Sequence, residues 1–146
     1  MSYIWYEDKN LKEELLIFGR AVQGVSPFDV VIEPDAGKCP SAYCNYLARR
    51  IVVNPTIFSV PDNEQYELTK ALLVHEAGHK RFTIPRKLPS LIREVANILE
   101  DERIDRFMCK EFAGVGWMMK KLAARFLDKA EILDNTSNSP EEVVRY

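Results

Sequence analysis

The chain reads as an α+β domain, and three features of its sequence point there. Two runs rich in β-branched residues, FDVVI at 28–32 and RRIVVN at 49–54, have the composition of short strands. A third short segment, residues 41–46, is compatible with another strand. The segments that follow are longer and repeat apolar residues every three or four positions, the period of helices that bury one face.

Taken in order, Leu11, Leu15, Phe18 and Val22 mark an amphipathic helix over residues 8–22, ended by Gly24, Ser26 and Pro27. The strand at 28–32 stops at Pro34, and EPDAGKCP reads as a loop. Pro55 closes the strand at 49–54. Pro61, Asp62 and Asn63 then start a helix carrying Leu68, Leu72, His75, His79 and Phe82 on neighbouring faces. After Pro85 and Pro89, Ser90 is placed to cap a further helix whose stripe of Leu91, Ile92, Val95, Ile98 and Leu99 is expected to face inward. A last long helix is expected over about 115–133. In the final stretch NTSNSPEEVVRY, Ser139 resembles an N-cap, Pro140 a first helical residue and Glu141 with Glu142 a first turn. Residues 1–134 are thus expected to form one domain, with 135–146 a tail belonging to a truncated or inhibitory segment.

Composition narrows the function classes. With 47% hydrophobic and 29% charged residues the chain has the balance of a folded globular protein. Its 20 basic and 22 acidic side chains are scattered, with no basic block of the kind that neutralises phosphates, so nucleic acid is not expected as a partner. No stretch approaches the roughly 18 apolar residues of a membrane span, and MSYIWYEDKN has no signal-peptide h-region, so a cytoplasmic location is expected. Three cysteines, Cys39, Cys44 and Cys109, read as reduced thiols.

Chemistry concentrates at ALLVHEAGHKRF, residues 71–82, where His75, Glu76 and His79 spell H-E-x-x-H with the only two histidines of the chain. Residues four apart on a helix lie one above the other, so two imidazoles can reach one zinc ion at about 2.0–2.1 Å each. Glu76 then sits beside the ion, placed to take a proton from water and deliver it to a leaving amine. Gly78 costs about 1 kcal/mol against alanine inside a helix and needs a packing reason.

A catalytic zinc takes three protein ligands, and with no further histidine the third must be a carboxylate. Glu94, Glu100, Asp101, Glu102 and Asp105 lie on the next helix in REVANILEDERIDRF. If Leu91, Val95, Ile98 and Leu99 define the inward face, Glu100 lies nearly opposite its centre while Asp101 and Asp105 flank it. Asp101 is the favoured ligand, Glu100 the alternative. Asp105, one turn on, is expected to accept from an imidazole N–H and orient it.

These residues resemble the zincin metallopeptidases of the gluzincin-like branch, where H-E-x-x-H is followed by a helix with an acidic ligand. VANILEDERIDR is similar to the N-x-x-E-D-x-R segment of metallopeptidase-like domains associated with von Willebrand A modules and of cobaltochelatase-subunit relatives, and Asp105-Arg106 to the end of the CAAX-protease motif. The likeness covers chiefly residues 70–107, and it departs from the gluzincin pattern in having aspartate where that pattern has glutamate. It implies a small mixed sheet above the active-site helix, with one catalytic zinc and a peptide or protein substrate. Residues 49–54 would be the edge strand, so that Ile51, Val52 and Val53 would pair with extended substrate by β-augmentation. Small relatives of the minigluzincin type can be held latent by their C-terminal segment, which here would be the residues after about Asp128. The alternative expectation is a non-catalytic or latent zinc-binding module that holds a peptide, fused to or associated with a larger assembly. Tyr43 and Tyr46 are weak candidates for steadying an oxyanion.

Overall fold

The computed structural model describes residues 3–136. A 3-10 turn at Trp5–Glu7 leads into helix α1, Lys9–Ala21, which Asp8 caps by accepting from the backbone N–H groups of Asn10 and Leu11. Three short strands follow: β1 at Asp29–Ile32, β2 at Ala42–Asn45 and β3 at Arg50–Val53. Three long helices complete the α+β architecture: α2 at Asp62–Phe82, α3 at Ser90–Glu111 and α4 at Val115–Thr136. None of the described helices is long and apolar enough to cross a membrane. The features expected at Ser139, Pro140, Glu141 and Glu142 lie outside the described residues.

The sheet is mixed, with order β1-β3-β2. β3 runs parallel to β1, with Val30 opposite Ile51, and antiparallel to β2, with Cys44 opposite the same Ile51. This corrects the expectation for residues 49–54. β3 is the central strand, its ladder bonds are taken on both sides, and Ile51, Val52 and Val53 are buried, so they do not offer an edge to substrate. The physical reason is in the residues: a continuous apolar run such as IVV belongs to a strand covered on both faces, whereas β2 alternates half-buried and exposed side chains. The edge strand beside the candidate site is β2.

α2 is the spine of the molecule. Leu68, Leu72 and Leu73 pack with Leu15, Val30, Ile51, Val53 and Leu122, joining α1, the sheet and α4 in one core. Further along, Val74 and Ala77 pack with Val22, Met108 and Val115. Because α2 is covered nearly all round in its middle turns, Gly78 has the packing reason it needs. A Cβ there would stand 3.1 Å from Met108 Cγ and 3.3 Å from Ile104 Cβ, so glycine lets α3 cross closely. Gly19 plays the same part for α1, where a Cβ would stand 2.9 Å from Val30. Two buried amides hold the loops that flank the sheet. Gln23 bonds to Gly19 O and to both backbone groups of Phe28, and Asn54 bonds to Cys39 O and Thr56.

α3 differs from expectation at its N-terminal half. Leu91, Ile92, Val95, Ile98 and Leu99 are exposed, and the buried residues of the helix are Ile104 and Met108. Ser90 is the first helical residue and makes no capping bond; Pro89 occupies the cap. Val95, nine residues before the buried Ile104, stands about 180° from it around α3, so the stripe lies on the reverse of the face that packs on α2.

Candidate metal centre

His75 and His79 stand one turn apart on the part of α2 that faces α3, with ring centroids 4.9 Å apart. α3 crosses them at Asp101 and Asp105. Asp101 Oδ1 lies 2.9 Å from His79 Nε2 and 3.5 Å from His75 Nε2. One ligand atom from each of these three residues falls within 4.8 Å of the others. Bond lengths of about 2.0–2.2 Å around a tetrahedral zinc need donor atoms that close, so two imidazoles and one carboxylate fit this ion.

The two other ring nitrogens are engaged away from that point. Asp105 Oδ1 is 2.9 Å from His75 Nδ1, and Thr83 Oγ1 is 2.9 Å from His79 Nδ1. A ring that donates through Nδ1–H leaves Nε2 as its lone-pair atom, which is the tautomer a metal needs. Thr83 passes the interaction on by donating to Glu100 Oε1 at 2.7 Å, and Arg103 donates to both Glu100 oxygens. Asp101 therefore takes the position facing both Nε2 atoms. Glu100 turns instead to Thr83 and Arg103, outside the group that converges on the centre. Asp101 faces the two histidines although the stripe expected to mark the inward side of α3, Leu91 to Leu99, is exposed.

Electrostatics follow from this crowding. Burial pushes the His75 pKa down, but hydrogen bonds to Asp101 and Asp105 overcome it and raise the value to about 10. Burial pushes Asp101 up, but the two imidazoles hold its carboxyl well below the usual range. Glu76 is buried beside both histidines, and burial raises its pKa against the pull of His75 and His79. The Arg103 guanidinium lowers the pKa of Glu100.

The centre opens into a cleft of about 740 Å³. Its walls come from β2 and its flanks through Ala42, Tyr43 and Cys44, and from α4 through Met119, Leu122 and Phe126, with Glu76 among the lining residues. Burial raises the Cys44 thiol to about 11, which keeps it protonated near neutrality. Tyr46 donates to His79 O at 2.8 Å and so holds the last turn of α2. Tyr43 is part-exposed on the cleft wall. Thr83 is the residue of the candidate centre that the motif did not include; its signal is a hydroxyl four residues after His79, at the C-cap of the same helix.

The comparisons leave the reading to this geometry: no family model matches the chain, and no curated protein or solved structure gave a match.

Proposed function

We propose that the chain is a zinc-dependent metallopeptidase of zincin type. The observation that carries the reading is the convergence of His75 Nε2, His79 Nε2 and Asp101 Oδ1 on one point, with the buried Glu76 in the same open cleft. His75, His79 and Asp101 would hold the zinc ion, which when bound would supply a Lewis acid for the scissile carbonyl and lower the pKa of the attacking water. Glu76 takes the proton of the attacking water and hands it to the departing amine. A carboxyl raised by burial is suited to both halves of that transfer.

Asp105 and the Thr83–Glu100 pair keep the two imidazoles oriented through these steps. Substrate in extended form adds to the free side of β2, whose other side is paired to β3, and this brings its backbone past Glu76. Digestion of a peptide library by the zinc-loaded protein tests the reading. Cleavage should stop with chelator and with Glu76→Gln; cleavage by neither form of the protein at any pH would sink it.

A second reading, a latent form of the same site, is favoured by one observation. α4 supplies Met119, Leu122, Ala123, Phe126 and Lys129 to the cleft, and so this stretch of the helix stands beside the space a substrate needs. Phe126→Ala and Lys129→Ala should raise cleavage if this wall obstructs substrate.

A further inference from the structure

His75 and His79 turn the same nitrogen toward the metal position, but what holds the other nitrogen differs between them. Asp105 faces His75 Nδ1 and, as a carboxylate, can only accept, so it fixes a proton on that nitrogen. Thr83 faces His79 Nδ1, and a hydroxyl can either accept or donate. If it donated, the ring would carry its proton on Nε2, where Asp101 Oδ1 at 2.9 Å is placed to accept it. That competing tautomer has a partner of its own, and it offers an ion no lone pair at Nε2. The direction of the Thr83 hydroxyl therefore decides whether His79 is a ligand.

The deciding contact comes from α3. Thr83 Oγ1 donates to Glu100 Oε1 at 2.7 Å, which commits its one proton there and leaves its lone pairs to the imidazole. Glu100 is held in turn by Arg103, three residues along α3, which donates through Nε to Oε2 at 2.8 Å and through Nη2 to Oε1 at 2.7 Å. Forked pairing of this kind fixes the plane of a carboxylate as well as its position. The guanidinium is itself anchored. It donates to Phe82 O at 2.7 Å and lies 5.4 Å from the centroid of the Phe107 ring, which packs on Phe82. Arg103 thus joins the C-terminal end of α2 to the helix that brings Asp101.

We infer that Arg103 is a positioning residue for the metal centre: through Glu100 it points the Thr83 hydroxyl away from His79, and so keeps Nε2 of that ring free for zinc. The inference rests on the zinc-centre reading above and adds to it a residue outside the group that converges on the ion. Its effect falls on one ligand only, because His75 is set separately by Asp105.

Zinc affinity of the full chain, read by competition with a chromophoric chelator, tests this in a double-mutant cycle of Arg103→Ala and Glu100→Gln. Each single variant should bind zinc about 10-fold more weakly than the wild type, the size expected for an outer partner of a ligand. The double variant should bind no more weakly than either single one, because both changes release the same hydroxyl. Arg103→Lys keeps a donor for Glu100 and should recover most of the loss. In the zinc-loaded protein, the Nδ1–H of His79 should give a ring signal in proton–nitrogen spectra that Arg103→Ala loses to solvent exchange. Arg103→Met, which keeps the apolar stem over Phe107, takes the place of the alanine variant should that one misfold. Unchanged affinity, a ring signal that persists, or losses that multiply to about 100-fold in the double variant overturns the proposal. The last of these would place the effect of Arg103 at Phe82 O instead. A wild type that binds no zinc overturns the metal centre as well, whereas a wild type that binds zinc with an affinity indifferent to Arg103 overturns this inference alone.

Discussion

Asp105 Oδ1 lies 2.9 Å from His75 Nδ1, on the side of the ring away from His79 and Asp101. That carboxylate sets which nitrogen of His75 carries its proton, and so sets which one is free for a metal. Outer partners of this kind are worth about 10- to 100-fold in metal affinity. Asp105→Asn should weaken zinc binding by about that factor while leaving the fold intact, as read by competition with a chromophoric chelator.

Asp101 and Glu100 should separate cleanly. Asp101→Ala removes one of three converging donors and should abolish stoichiometric zinc binding. Glu100→Gln acts only through Thr83 and should lower affinity by about 10-fold or less. If Glu100→Gln loses the metal and Asp101→Ala keeps it, the assignment of the third ligand is reversed.

In the metal-free protein, stability should depend on pH in a direction fixed by His75 and Asp101. The His75 pKa is raised from 6.5 to about 10, so the stability it contributes is full below pH 6.5 and is lost as pH rises through 10. The Asp101 pKa is lowered from 3.8, so its contribution is full above that value and is lost as pH falls further. The thermal midpoint should therefore be highest between pH 3.8 and 6.5 and decline toward pH 10, with a flatter alkaline limb in Asp105→Asn. At pH 7 zinc must displace the His75 proton, so calorimetry in buffers of different ionisation enthalpy should register about one proton released.

Gly78 is the point where α3 presses closest on α2. Gly78→Val should cost about 1–3 kcal/mol through overpacking against Met108 and Ile104, and should weaken metal binding because α3 brings Asp101. Denaturant unfolding reads the first effect and zinc titration the second. Normal stability and affinity together would mean that the two helices move apart without consequence.

Zinc should stabilise the native state if its site exists only there. At free metal about 1,000-fold above Kd the gain is about 4 kcal/mol, visible as a rise in Tm that His79→Ala abolishes.

How far the residues alone could carry the argument is seen by comparing α2 with α3. His75 and His79 sit four residues apart, with Glu76 between them, inside a helix whose start at Asp62 and end at Phe82 are written in local signals, so half of the candidate centre was legible from spacing. The strands were legible from β-branched composition, but not their order. Which strand is central depends on pairing between segments far apart in sequence, and only the continuous apolar run of β3 against the alternation of β2 hints at it. On α3, periodicity identified a true apolar face and misplaced it. A stripe records that a face prefers cover, not which element supplies it, and α2 packs on the opposite side of α3, at Ile104 and Met108.

By itself, then, the sequence determined the local geometry: helices and strands near their observed bounds, two imidazoles on one turn, and a carboxylate-rich helix after them. The tertiary structure decided everything that depends on crossing. It brought Asp101 rather than Glu100 to the histidines, turned Glu100 to Thr83, put β2 at the edge of the cleft, and left the face around Val95 uncovered by the described residues. The physical reason is that short-range periodicity fixes the direction of a side chain about its own axis, while its neighbour is set by how elements cross or pair: α3 crosses α2 at Gly78 against Ile104 and Met108, and β2 is placed by its pairing with β3.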